Sequence, residues 1–163
     1  QMDYDVIFLP GDYEEGGLII KQAREMGIMQ PILGPDGFAN STLVELAGAD
    51  NVDNVFYASH FTPNSEDPKV QEFLAAFEAE YGKPADSFAA LAYDAAQLVF
   101  DAITTADSTD PQAITDALAA TEDFEGVTGT FSFDENHNPI KSAFVIELQD
   151  GVEVGNSVVE PAK

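Results

Sequence analysis

The sequence predicts an α/β protein in which three parallel strands of βα type are followed by helices and then by two C-terminal strands. Two patterns support this fold class. In the first 60 residues, short apolar runs alternate with segments of helical periodicity, which is the βαβαβ order of a parallel sheet with right-handed crossovers. From residue 67 to residue 120 only helical periodicity is found, and strand character returns at residues 129–133 and 142–148.

The first strand is expected at residues 5–9, a continuous apolar run that suits burial on both faces. A helix over residues 14–26 follows, with acidic residues at its start and basic residues later, and Gly27 ends it. Residues 31–33 form the second strand and residues 54–59 the third. The short helix between these two strands is expected to be capped by Ser41, with Glu45 completing an offset capping box.

Helices are predicted over residues 67–81, 86–106 and 111–120. The longest of them carries apolar residues on two faces, so we expect it to pack on both sides. Residues 134–139 are expected to form a hairpin turn, and a polar tail follows residue 148.

The composition limits the partners and the chemistry. The 163 residues include 30 acidic and 6 basic side chains, a net charge of −24, so neither nucleic acid nor an anionic membrane surface is an expected partner. The chain has no cysteine, which excludes disulfides, thiolate chemistry and cysteine-based metal sites. Residues 1–3 do not resemble a signal peptide, so if the natural protein is exported we expect its leader to be missing from this chain.

Asp36 is the first candidate for a binding residue. It lies in the turn Gly-Pro-Asp-Gly that follows the second strand, where Pro35 restrains the backbone and Gly37 permits a positive φ. One interpretation is an Asx-turn that only shapes the loop. The other is a ligand-binding carboxylate, because α/β folds bind ligands at the carboxyl ends of their strands.

Tyr13 lies just past the first strand, so it should share this edge of the sheet with Asp36. An aromatic face beside a fixed carboxylate suits an ammonium group that carries an apolar tail. A purely structural role for Tyr13 is an equal alternative.

No motif indicates an enzyme, a metal site or a cofactor. His60 and His137 have no partner at metal-ligand spacing and are expected to be solvated loop residues. The oxygen spacing of residues 134–138 is like the start of a calcium loop, but Pro139 stands where glycine is required, which favours the hairpin turn. The acidic residues of the glycine-rich segment 11–17 would repel a phosphate.

Several short stretches occur together in the order and spacing of a known family: residues 11–13 with 20–27, residues 34–37, residues 68–73 with 81–84, residues 90–95, and residues 129–134. They resemble the C-terminal half of the type I periplasmic (solute) binding proteins of ABC transporters, in the branched-chain amino acid (Leu/Ile/Val) receptor family. The resemblance implies that residues 1–60 and 141–163 belong to a C-terminal lobe. It also implies that residues 61–66 are a hinge crossing, that residues 67–140 are the helical part of an N-terminal lobe, and that the remainder of the N-terminal half is absent.

The resemblance also implies site residues. Asp36 matches the acidic residue that takes the ligand's ammonium group, although the best-known receptors have glutamate there, which leaves the ligand's size open. Tyr13 matches the aromatic residue of the first turn. Phe88 matches an aromatic residue near the ligand's side chain, with Tyr93 as the alternative, and Phe38 is a further candidate on its position alone.

The function implied is that of a non-catalytic, extracytoplasmic receptor, periplasmic or extracellular and either free or lipid-anchored. It binds a branched-chain or other small apolar amino acid between two lobes and presents it to a membrane permease. Two alternatives remain: a ligand-sensing regulatory module with the same fold, or a flavodoxin-like enzyme domain.

Overall fold

The structure is a computed structural model that describes residues 3–161. It divides into two compact units. The first unit holds the chain up to His60 together with Ala143–Val159, and the second holds Phe61–Ser142 with the residues after Val159. The assignment of these units to lobes of a receptor, with a hinge crossing at residues 61–66, stays a prediction.

Five helices and eight strands make up most of the described chain. The helices are α1 (Tyr13–Glu25), α2 (Thr42–Ala47), α3 (Pro68–Tyr81), α4 (Ser87–Ala106) and α5 (Pro111–Ala119). The strands are β1 (Ile7–Phe8), β2 (Ile32–Gly34), β3 (Val55–Ser59), β4 (Phe124–Gly126), β5 (Gly129–Phe133), β6 (Pro139–Ile140), β7 (Ala143–Gln149) and β8 (Val152–Val159).

The first unit is built on a sheet with the strand order β1-β2-β3-β7-β8. The three strands β1, β2 and β3 are parallel, as predicted, while β7 and β8 are antiparallel to their neighbours. Strand β8 lies where a polar tail was expected. It forms because Asp150 and Gly151 both take a positive φ, the backbone of a tight hairpin turn, and this turn leads the chain back along β7.

The core of the first unit lies on one face of its sheet. Buried side chains of α1, α2 and the strands form one cluster, which includes Ile20, Leu43, Ile32, Val55 and Ile146. The alternate residues of the strands are exposed, and 67% of Phe8 is accessible. The prediction that β1 is buried on both faces is therefore wrong for the part of the chain that the structure describes.

Arg24 joins the loops at the amino ends of β2 and β3. Its guanidinium group donates hydrogen bonds to four backbone carbonyls, those of Ile28 (2.7 Å), Gln30 (3.0 Å), Asn51 (3.2 Å) and Asp53 (2.9 Å). The residue is only 8% exposed. Burial lowers the pKa of Arg24, and the nearby Asp53 acts in the opposite direction.

Arg24→Met is expected to lower the free energy of unfolding by about 2–3 kcal/mol, because the carbonyls lose a charged donor and methionine offers no replacement. Urea denaturation followed by circular dichroism measures this loss. Lys21→Met is the matched control, since Lys21 is an exposed basic residue on the same helix. Equal stability of the two variants would contradict the role assigned to Arg24.

The second unit contains α3, α4 and α5 with a small sheet in the order β4-β5-β6. An aspartate caps each helix: Asp67 accepts a hydrogen bond from the Lys69 amide, Asp86 from Ala89, and Asp110 from Gln112 and Ala113. The predicted starts of these helices are thus confirmed. The cap predicted for α2 is wrong, because the Asn40 side chain, rather than Ser41, accepts the hydrogen bond from the Thr42 amide.

Helix α4 buries one of its two apolar faces within the second unit. Ala90, Leu98 and Ala102 are at most 9% exposed, whereas Phe100 on the other face is 61% exposed. The prediction that both faces are packed is therefore not met by the described residues. In the part of the chain that the structure describes, no helix combines the length and the apolar character that crossing a membrane requires.

The turn between β5 and β6 forms as predicted. Asp134 accepts hydrogen bonds from the amides of Asn136 and Asn138, both at 2.8 Å. These bonds, with the Asn138 amide as the largest cause, hold the pKa of Asp134 below its usual range.

Candidate functional site

Asp36 begins a single turn of 3-10 helix, Asp36–Phe38, directly after β2. The turn is closed by backbone hydrogen bonds from Phe38 to Pro35 (3.2 Å) and from Ala39 to Asp36 (3.0 Å). The Asp36 side chain is 56% exposed. The backbone thus holds the carboxylate at the carboxyl end of β2 while leaving it open to solvent.

Gly37 allows this turn to touch the loop that follows β1. A Cβ atom placed on Gly37 would lie 2.6 Å from Asp12 Oδ1 and 2.7 Å from the Gly11 carbonyl oxygen, so only glycine fits. Its φ is not positive, contrary to the reason predicted for a glycine here. Close approach of two loops, rather than a special backbone conformation, requires this residue.

Tyr13 is the first residue of α1 and lies at the carboxyl end of β1. Its side chain is half-buried and packs against the core of the first unit. Because β1 and β2 are adjacent and parallel, Tyr13 and Asp36 occupy the same edge of the sheet. The structure therefore brings these two candidates together at strand ends whose loops are in contact.

Phe38 does not lie on this surface. It has no exposed area and belongs to the core cluster of the first unit. A Cβ atom on Gly16 of α1 would lie 2.6 Å from its ring, and Gly34 contacts the ring from β2. This burial is at odds with the prediction that Phe38 lines a pocket. Its ring instead packs beneath the turn that carries Asp36 and supports it.

His60 is a residue of this edge that the sequence interpretation missed. It follows β3 directly, and its Nε2 atom lies 3.9 Å from Asp36 Oδ2. Its side chain is 35% exposed, so it is partly shielded rather than fully solvated as expected. The signal was available, because His60 occupies the third strand end, by the same argument that selected Tyr13 and Asp36.

Phe88 and Tyr93 belong to the second unit, near the start of α4. Phe88 is 42% exposed and Tyr93 is 44% exposed. The Tyr93 ring packs against Phe73 of α3, with ring centroids 5.0 Å apart. Both side chains thus present aromatic surface to solvent within their unit.

Tyr93 also lines a groove in the second unit, with a volume of about 580 Å³. Aromatic rings from α3, α4 and β4 line much of it, and Lys69 and Glu125 form an ion pair at 3.2 Å there. The aromatic side chains of the groove are Phe73, Phe77, Tyr81, Tyr93 and Phe124.

The first unit presents its candidate residues at the sheet edge where α/β folds bind ligands. A partly exposed carboxylate lies 3.9 Å from an imidazole at the carboxyl ends of β2 and β3, and an aromatic residue occupies the adjacent end of β1. Such a carboxylate can accept charge-assisted hydrogen bonds from a small cationic group. Among the residues described, no cluster of histidine and acidic side chains has the geometry of a metal site.

The chain belongs to the periplasmic binding protein family, whose family model matches residues 3–153. It is 31% identical to the leucine-, isoleucine-, valine-, threonine- and alanine-binding protein of Pseudomonas aeruginosa over 129 residues, which are 79% of this chain and 34% of that protein. The predicted family resemblance is thereby confirmed, and the relative is named as a binding protein rather than an enzyme.

Solved structures agree in fold. A branched-chain amino acid transporter substrate-binding protein from Streptococcus pneumoniae, in complex with isoleucine, has a TM-score of 0.89 and 42% identity, covering 98% of this chain and 46% of that one. A solute-binding protein of an ABC transporter from R. palustris, in complex with benzoate, has a TM-score of 0.82 and 25% identity, covering 98% and 44%. The chain therefore spans less than half the length of these relatives.

Proposed function

We propose that this chain is the C-terminal part of the extracytoplasmic solute-binding component of an ABC importer, and that its ligand is a small apolar amino acid. The relatives described above support this class over a regulatory module or a flavodoxin-like enzyme. The choice of an amino acid as the ligand rests on the exposed carboxylate of Asp36 at the carboxyl end of β2.

Asp36 would accept hydrogen bonds from the ammonium group of the amino acid. A charge-assisted contact of this kind orients a ligand more strongly than a neutral hydrogen bond does. Tyr13, at the adjacent strand end, offers an aromatic face on which the cation or the first apolar carbons can rest. Isoleucine, the ligand in the Streptococcus pneumoniae relative, has both an ammonium group and an apolar side chain.

The helical unit would contribute the aromatic residues Phe88 and Tyr93 to apolar recognition. We assign residues 61–66 to a hinge crossing, residues 67–140 to the N-terminal lobe, and residues 1–60 with 141–163 to the C-terminal lobe. The first two and the last two residues of the chain lie outside the described range. Closure of such a receptor is a hinge motion coupled to binding. The membrane permease of the importer would be the partner of the closed form, in the periplasm or outside the cell.

The remainder of the receptor's N-terminal half would complete both units. Each unit exposes apolar surface of the kind that a soluble protein normally covers: Phe8 and Leu33 on the sheet, and Tyr93 and Phe100 on α4. Parallel sheets in particular are covered on both faces. The same half would supply the groups that hold the ligand's carboxylate, so this chain alone is expected to bind amino acids poorly.

In the natural protein that contains this chain, Asp36→Ala is expected to weaken binding of isoleucine by about 2–4 kcal/mol, because a charge-assisted contact is lost. Isothermal titration calorimetry with leucine, isoleucine and valine measures the effect. Four-methylpentanoate and benzoate, which have no ammonium group, should bind far more weakly than leucine.

Asp50→Ala is the control for this test. Asp50 is also an exposed acidic residue, but it precedes β3 and so lies toward the opposite end of the sheet. Its removal should leave the affinity unchanged. An unchanged affinity in Asp36→Ala would remove Asp36 from the site, and tight binding of four-methylpentanoate would exclude an ammonium-directed receptor.

A further inference from the structure

We propose that His60 is a third residue of this site and that its protonation controls how well Asp36 accepts an ammonium group. The inference rests on the proposed function, since it concerns the same carboxylate. It adds a property that the family relationship does not supply, namely release of a proton from His60 when the amino acid binds.

The position of His60 is set by the sheet. Strand β3 lies between β2 and β7, and its last residue, Ser59, pairs with Phe144 and is 1% exposed. His60 follows immediately, and the 3-10 turn that carries Asp36 packs against β3. The imidazole is therefore presented from a fixed backbone to a carboxylate that is itself on a fixed turn.

The two side chains are close enough to interact as charges. His60 Nε2 lies 3.9 Å from Asp36 Oδ2, and both side chains are partly exposed, so each remains accessible to protons and to a ligand. At this end of the elements that meet here, the other charged residues that the structure describes are acidic: Asp12 on the adjoining loop, and Glu14 and Glu15 in the first turn of α1. The basic residues of α1, Lys21 and Arg24, lie toward the other end of that helix. Histidine changes its charge between about pH 5 and pH 8.

The sign of the effect follows from the charges. When His60 is protonated, its imidazolium neutralises Asp36 and repels an incoming ammonium group. When His60 is neutral, the negative charge of Asp36 is available to the ligand. The ammonium and carboxylate groups of isoleucine do not themselves titrate in this range, so the affinity should rise with pH because of the protein alone.

The test is the pH dependence of isoleucine binding to the natural protein that contains this chain. We expect the affinity to rise about five- to tenfold between about pH 5.5 and pH 8, the range in which histidine loses its charge. His60→Asn should make this profile flat. Calorimetry in buffers of different ionisation enthalpy should also show that wild-type protein releases a proton on binding at about pH 6.5, and that His60→Asn does not.

His137→Asn is the matched control. His137 lies in the exposed turn between β5 and β6, where its φ is 64°, a backbone conformation that asparagine tolerates. This variant should keep the wild-type profile. A His60→Asn protein with the wild-type pH profile would overturn the proposal.

A second measurement does not depend on any variant. The ring protons of His60, followed by nuclear magnetic resonance, should titrate at a lower pH when isoleucine is bound than in the free protein. An unchanged titration would reject the proposal. If Asp36→Ala also leaves the affinity unchanged, Asp36 is not part of the site and the role proposed for it fails together with the inference; if Asp36→Ala weakens binding while His60→Asn has no effect, only the inference about His60 fails.

Discussion

Phe38→Ala is expected to lower the free energy of unfolding by about 3–5 kcal/mol, the range measured when a large aromatic side chain is removed from a protein core. Phe38 has no exposed area and is held between Gly16 of α1 and Gly34 of β2. Both glycines lie against the ring, so alanine would leave a cavity that the rigid sheet and helix cannot easily fill. Urea denaturation followed by circular dichroism measures the loss.

Two further variants test whether the loss of stability comes from the buried volume of the Phe38 ring. Phe38→Leu keeps most of the apolar volume and should cost about 1–1.5 kcal/mol. Met26→Ala removes a large apolar side chain that is 78% exposed at the end of α1, and should change stability by no more than about 0.5 kcal/mol. A Phe38→Ala protein as stable as Met26→Ala would show that the ring does not support the turn of Asp36.

Phe38 illustrates how far the sequence could lead. The turn was located correctly from Pro35, Gly37 and the apolar run before them. Pro35 acts through its local backbone preference, whereas Gly37 is required by the close approach of the loop that holds Gly11 and Asp12. The direction of the Phe38 ring depends on its contact with Gly16. Gly16 is distant in sequence and has no side chain, so the sequence pattern does not indicate this contact. Local chemistry therefore identified the loop but placed its aromatic residue on the wrong side.

The position at the carboxyl end of a strand was the reason for selecting Asp36 and Tyr13 as candidate site residues. The same reasoning would have selected His60, but it was not applied to the end of β3. His60 was predicted to be a solvated loop residue, although it comes directly after β3. Its distance from Asp36 depends on the pairing of β2 with β3, which the βαβαβ order had already implied. The information was present in the predicted topology.

The fold was predictable where periodicity was strong. The parallel strands are short apolar runs. The helices α3, α4 and α5 have helical apolar periodicity and begin at capping aspartates. Strand β8 was missed because Gly155, Asn156 and Ser157 interrupt its valines, so its sequence has no sustained apolar alternation, and because its pairing depends on the Asp150-Gly151 turn. The second apolar face of α4 was correctly identified from the sequence. The sequence pattern does not indicate which part of the protein would cover that face.

Asp94 is the second residue whose removal should have a large effect, and nothing in its local sequence marks it. It is 3% exposed on α4 and accepts hydrogen bonds from the amides of Val127 and Thr128, both at 2.8 Å, and from Thr128 Oγ1 at 2.6 Å. Thr128 Oγ1 in turn accepts a hydrogen bond from Lys141 Nζ at 2.6 Å. One carboxylate thus joins α4 to the segment between β4 and β5.

Lys141 makes this network costly to break. Burial lowers the pKa of Lys141, while the negative charge of Asp94 acts in the opposite direction, and the ammonium group also lies 4.8 Å from the centre of the Phe131 ring. Without Asp94, two buried amides lose their acceptor, and a partly buried ammonium group loses the negative charge that offsets the effect of its burial. Gly126 packs directly against this carboxylate, where the Cβ atom of any other residue would clash with it.

Asp94→Ala is therefore expected to lower the free energy of unfolding by about 3–5 kcal/mol, the cost typical of removing one partner from a buried charged network. Asp94→Asn keeps one acceptor oxygen and the side-chain volume, so its loss should be smaller. Asp101→Ala, an exposed aspartate on the same helix, should be close to neutral. If Asp94→Ala and Asp101→Ala unfold at the same urea concentration, the carboxylate is not what holds the β4–β5 segment to α4.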